Sequence, residues 1–85
     1  MTDQVVWRRI YDRPTAFIGG VAAGDCYVSK GVPEGDVWKC RVWYPGRTEG
    51  GRQQYVLPPE GEEPEAFAMQ QLVTMLDTVN QERGE

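Results

Sequence analysis

Lys39, Arg41 and Trp43 fall at every second position of the segment Val37–Tyr44. In an extended strand that spacing puts two cations and an indole on one side. Cations beside an exposed ring suit an anionic partner. They grip phosphate while the ring stacks on a base, or they seat the carboxylates of another protein. Arg52 and Gln54 repeat the spacing in the next apolar run. With Tyr55 and Leu57 taken as the core pair there, Arg52, Gln54 and Val56 point to the same open side. The plainer reading is a solvated sheet face, with lysine and arginine stems lying over Trp43.

The chain has no histidine and two cysteines. The first fact removes an imidazole base and any Ser-His or Cys-His nucleophile pair. The second leaves a metal too few ligands, since zinc takes three or four. No spacing supports carboxylate, lysine or tyrosine catalysis. The expectation is a protein that binds and does not catalyse, with no metal and no cofactor. Gly19-Gly20, with Gly24 close behind, lacks the residue order of a phosphate loop. Cys26 and Cys40 would lie opposite one another if their strands paired in an even register, close enough to bridge. In a reducing compartment they read as two buried thiols.

A third group is acidic. Residues 1–57 hold eight Lys or Arg and six Asp or Glu, a balance of +2, whereas residues 58–85 hold one Arg and seven acids, a balance of −6. Glu60, Glu62, Glu63 and Glu65 form the densest run. Such a surface repels nucleic acid and attracts basic protein surfaces. Equally, acids at this place favour a helix dipole and aid solubility.

The positioning elements follow from periodicity. Strands are expected at about 4–11, 17–23, 26–30, 37–44 and 53–57. Gly19-Gly20 then lies inside the second as a bulge or bend, and Gly31–Asp36 forms a loop. From Pro64 to Arg83 the pattern changes to a helix, with Ala66, Met69, Leu72, Val73, Leu76 and Val79 as its apolar stripe. Pro64 suits the first helical position, and Gly84 suits the stop. Strands followed by one helix predict a single 85-residue α+β domain, an antiparallel sheet of four to five strands packed on a C-terminal helix as a two-layer sandwich. Trp38, Cys40, Val42 and Tyr44 belong against that helix. Trp7 and Arg9 share a face of the first strand, either extending the basic platform or keeping an edge strand soluble.

No run approaches the roughly 20 apolar residues that span a bilayer, and Met-Thr-Asp-Gln lacks the character of a signal peptide. A cytoplasmic location is therefore expected.

The segments Val37-Trp-Lys-Cys-Arg-Val-Trp-Tyr-Pro-Gly46, Gly51-Arg-Gln-Gln-Tyr-Val56 and Glu63-Pro-Glu-Ala-Phe-Ala68 with Leu72 resemble the arm-type DNA-binding domain of phage integrases, a three-stranded sheet with one helix. The likeness covers residues 29–79. It implies a sheet face entering the major groove, with Lys39, Arg41, Trp43, Arg52 and Gln54 as readers.

Two functions follow as expectations. The first is a small acidic protein-binding module, of the kind that phage or prophage accessory inhibitors such as anti-CRISPR proteins are, acting on nucleic-acid-handling machinery. The second is a DNA-binding module using the sheet face.

Overall fold

The computed structural model describes residues 5–43 and 51–82, without the side chains of 79–82. Five strands, β1 (Val5–Ile10), β2 (Arg13–Ile18), β3 (Val21–Val32), β4 (Gly35–Val42) and β5 (Arg52–Val56), precede one helix, α1 (Pro64–Glu82). The strands form one antiparallel sheet in sequence order. The helix packs on β3 and β4. This is the α+β two-layer arrangement that the periodicity predicts. Tyr44, the side chain of Val79, Arg83 and Gly84 lie outside the described residues.

The first two connections are tight hairpins, and they correct the expected second strand. Tyr11 and Asp12 have φ of 52° and 63°, and Gly19 and Gly20 have 60° and 80°. Two successive positive φ values match the right-handed twist of the flanking strands. Gly19-Gly20 is therefore the turn between β2 and β3, not a bend inside a strand. Pro14 occupies the second position of β2, opposite Arg9 and ahead of the first pair with β3, Thr15↔Asp25. The expected loop 31–36 shrinks to Pro33-Glu34, because β3 runs to Val32 and β4 starts at Gly35. β3 carries an extra residue at two places, one beside Ala16/Phe17 of β2 and one between Val28 and Lys30. Such bulges bend a strand and strengthen its twist.

The core lies between sheet and helix. Trp38, Cys40 and Val42 of β4 point there with Ala16, Cys26 and Val56, and α1 supplies Ala68, Leu72 and Leu76, flanked by Phe67, Met69 and Met75. The buried line of the helix runs through Ala68, whereas Ala66, assigned to the stripe from sequence, is exposed. Glu63 caps the helix: its Oε2 accepts from the Ala66 N–H at 2.6 Å, one of the amides without an intrahelical partner.

Gly24 allows the close approach of helix to sheet. A Cβ there would lie 2.5 Å from the Arg41 carbonyl oxygen and 3.2 Å from Leu72 Cδ1. Gly24→Ala is expected to destabilise the fold by about 1–3 kcal/mol through overpacking. Leu72→Ala is expected to cost about 2–5 kcal/mol through the cavity it leaves. Urea unfolding checks both, and a Gly24→Ala variant as stable as the parent would contradict the packing described.

Candidate functional site

The helix lies on one face of the sheet, and no other described element covers the opposite face. Residues opposite each other in the register share a face. From Lys39 and Arg41, the register leads to Tyr27 and Asp25 on β3, on to Thr15 on β2 and Arg8 on β1, and in the other direction to Tyr55 and Gln53 on β5. Arg13 and Phe17 join them by alternation along β2.

The centre of this face is a buried charge. Asp25 is 5% exposed and lies directly opposite Arg41. Arg41 donates twice to it, Nε to Oδ1 at 2.9 Å and Nη2 to Oδ2 at 2.7 Å, the bidentate geometry that makes Arg–carboxylate pairs strong. Arg13 Nη1 stands 3.8 Å from Asp25 Oδ2. The hydrogen bonds to Asp25 hold the Arg41 guanidinium above its ordinary pKa, against the opposing pull of partial burial, so it stays charged at every working pH.

Cations and rings surround this pair. The Arg13 guanidinium lies 3.9 Å from the centre of the Tyr27 ring, and that of Arg41 lies 5.2 Å from it. Arg41 is also 5.6 Å from the Trp43 ring, Lys39 Nζ is 5.6 Å from Tyr55, and Arg8 is 5.4 Å from Phe17. Each such contact contributes about 0.5–1 kcal/mol at an exposed site. Trp43 is half-buried at the rim. Its indole N–H donates to the Ala22 carbonyl at 2.8 Å, and its backbone N–H donates to the Ala23 carbonyl at 2.9 Å. The ring is therefore held in place.

Lys39, Arg41 and Trp43 thus come together as the alternation requires. Arg52 and Gln54 do not join them. They pair with Val42 and Cys40, so they are on the helix side, and Gln53 and Tyr55 take the open side. Val56, expected outside, is buried against Trp38, and Tyr55, expected in the core, is 55% exposed. The three-residue apolar run Tyr55–Leu57 does not specify which side is inward, and a slip of one residue inverts the strand. Arg9 does not extend the platform either. It shares the helix side with Trp7, and its Nη2 donates to Glu65 Oε1 at 2.6 Å. Arg8 supplies the cation on the open side instead.

The acidic run also divides. Glu65 is engaged by Arg9, and Glu63 by the helix cap. Glu60 and Glu62 remain exposed and line a shallow groove with Glu34 and Asp36. Among the described residues, no group of three or more thiols or carboxylates is arranged to hold a metal ion, and no helix is long and apolar enough to cross a membrane.

Asp25 escapes the sequence reading because the strand expected at 26–30 in fact runs from Val21 to Val32, which also brings Tyr27 into line with it. The signal for Asp25 and Tyr27 was their alternation in a strand running back to Val21. No family model, curated protein or solved structure matches this chain.

Removing Arg41 leaves Asp25 buried with weaker compensation. Arg41→Ala is expected to cost about 2–4 kcal/mol, below the range for fully buried pairs because the guanidinium side is partly solvated. Asp25→Ala is expected to cost about 1–3 kcal/mol. The double variant should lose clearly less than the two costs added together, as measured by urea unfolding in a double-mutant cycle. Strict additivity would show that the pair is not coupled.

Proposed function

We propose that the chain is a non-enzymatic binding module whose open sheet face holds an acidic surface of another protein. The observation that carries this reading is the uncovered array of Arg8, Arg13, Lys39 and Arg41 interleaved with Phe17, Tyr27, Tyr55 and Trp43. Among the described residues, Asp25 is the one carboxylate that the register places with these cations, so this part of the face carries a local positive excess on a chain of net charge −4.

Four features favour a protein over a nucleic acid. Cations of the chain itself already stand 3.9–5.6 Å from these ring centres and compete with bases for the ring faces. Val6 and Ile10, on the same face by alternation, are 52% and 40% exposed and add aliphatic contact area beside the rings. Arginine with tyrosine and tryptophan is also the composition of residues that dominate protein–protein binding energy. The net negative charge adds a long-range term that opposes approach to a polyanion.

A binding role also suits the remaining chemistry. The chain offers no histidine, its thiols are sealed under the helix, and the carboxylate on the face is committed to Arg41.

Arg8 and Lys39 are suited to the test, because neither contacts Asp25. The Arg8→Glu/Lys39→Glu variant should keep the fold and lose at least about tenfold in affinity for a stoichiometric protein captured by the parent chain, equivalent to about 1.4 kcal/mol. Added salt should weaken the parent complex. Random-sequence duplex DNA should give no mobility shift at low salt. A shift abolished by the double reversal would replace the protein partner with a nucleic acid. Capture indifferent to the reversals would remove this face from the interaction.

A further inference from the structure

On the helix side of the same two strands, Cys26 and Cys40 stand directly opposite each other. Both are free thiols with no exposed surface. Opposed residues of an antiparallel pair have Cβ atoms about 4.5–5.5 Å apart, and a disulfide needs about 3.5–4.5 Å. A small local adjustment therefore joins the sulfurs. The cover over them is α1. Cys40 Sγ donates to the Ala68 carbonyl at 3.5 Å, and Ala68 and Leu72 are themselves fully buried.

We propose that Cys26 and Cys40 form a dithiol that a small disulfide of the glutathione type oxidises to an intramolecular bridge between β3 and β4, and that this exchange proceeds only when α1 lifts from the sheet. The gating follows from the geometry. A thiolate must be approached by the incoming disulfide along the S–S axis, and the helix occupies that space.

The electrons and protons balance as follows. The Cys40 thiolate attacks one sulfur of glutathione disulfide, forming a mixed disulfide and releasing one glutathione thiolate. The Cys26 thiolate then attacks the Cys40 sulfur, closing the bridge and releasing the second. The protein loses two electrons and two protons, and the disulfide becomes two thiols. Cys40 is the natural first nucleophile. The hydrogen bond from Cys26 lowers its pKa, whereas that bond, followed by burial, raises the pKa of Cys26. In the bridged form Cys40 has no proton to donate to Ala68, so oxidation also removes a sulfur–helix contact.

The test uses the full chain with glutathione disulfide, followed by acid quench, intact mass and peptide mapping. The expected product has lost the mass of two hydrogens and contains a Cys26–Cys40 linked peptide. Its rate of formation should rise at least about tenfold in Leu76→Ala, which loosens the helix at a distance from the thiols. Should that variant fail to fold, the same acceleration is expected in the parent chain with urea below its unfolding transition. Cys26→Ala should stop at a glutathione adduct on Cys40. A lasting mixed disulfide in the parent, a bridge between two chains, or no oxidation under loosening conditions would overturn the dithiol. A rate insensitive to both the variant and urea would overturn the gating by the helix.

Discussion

One ion pair organises the open side of this protein. A carboxylate as enclosed as Asp25 loses most of its hydration, at a cost of several kcal/mol that hydrogen bonds and a paired cation must offset. Arg41 satisfies both oxygens from the facing position of the neighbouring strand, and Arg13 adds a second positive charge nearby. Both guanidinium groups also approach the Tyr27 ring, and Arg41 approaches Trp43. The result is a face whose cations are held in position before any partner arrives, which reduces the ordering cost of binding.

The same two strands carry opposite chemistry on their reverse side. There, Trp38, Cys40, Cys26 and Val42 meet the helix in an apolar layer, and Gly24 lets Leu72 come close. A single helix covers a single face. The asymmetry of the molecule is thus a matter of counting layers: two layers give one sealed interface and leave one sheet surface for solvent or a partner. The polar face is stabilised laterally, through cations laid over rings, because among the described residues no element packs on top of it. On the proposed function, this solvated face is also the surface that meets the partner.

The parts legible in the sequence are those where alternation was unambiguous. β4 places large apolar residues and cations on strictly alternate positions, so Trp38 inside and Lys39, Arg41 outside could be read directly. The helix was legible from its period and from Pro64, although the buried line passes through Ala68 and not Ala66, since both alanines fit an apolar stripe. β5 was not legible, because Tyr55, Val56 and Leu57 are all apolar and only the pairing with β4 decides which one turns inward. β2 was misplaced because proline near its start and paired glycines at its end each have two meanings, and tertiary pairing chose between them. Asp25 was hidden for a further reason. A buried carboxylate in a strand is recognisable only once its cation is known, and that cation is 16 residues away.

A nuclear magnetic resonance titration with a short oligoglutamate peptide at low salt tests most directly whether the open sheet face is the anion-binding surface of the molecule. The expected result is salt-sensitive movement of the Arg13 and Arg41 Nε–H and Trp43 indole resonances, together with the Lys39 and Tyr55 amides, while the Cys26, Ala68 and Leu72 signals stay in place. Perturbations confined to the helix and its preceding loop, with the sheet-face resonances unmoved, would contradict it.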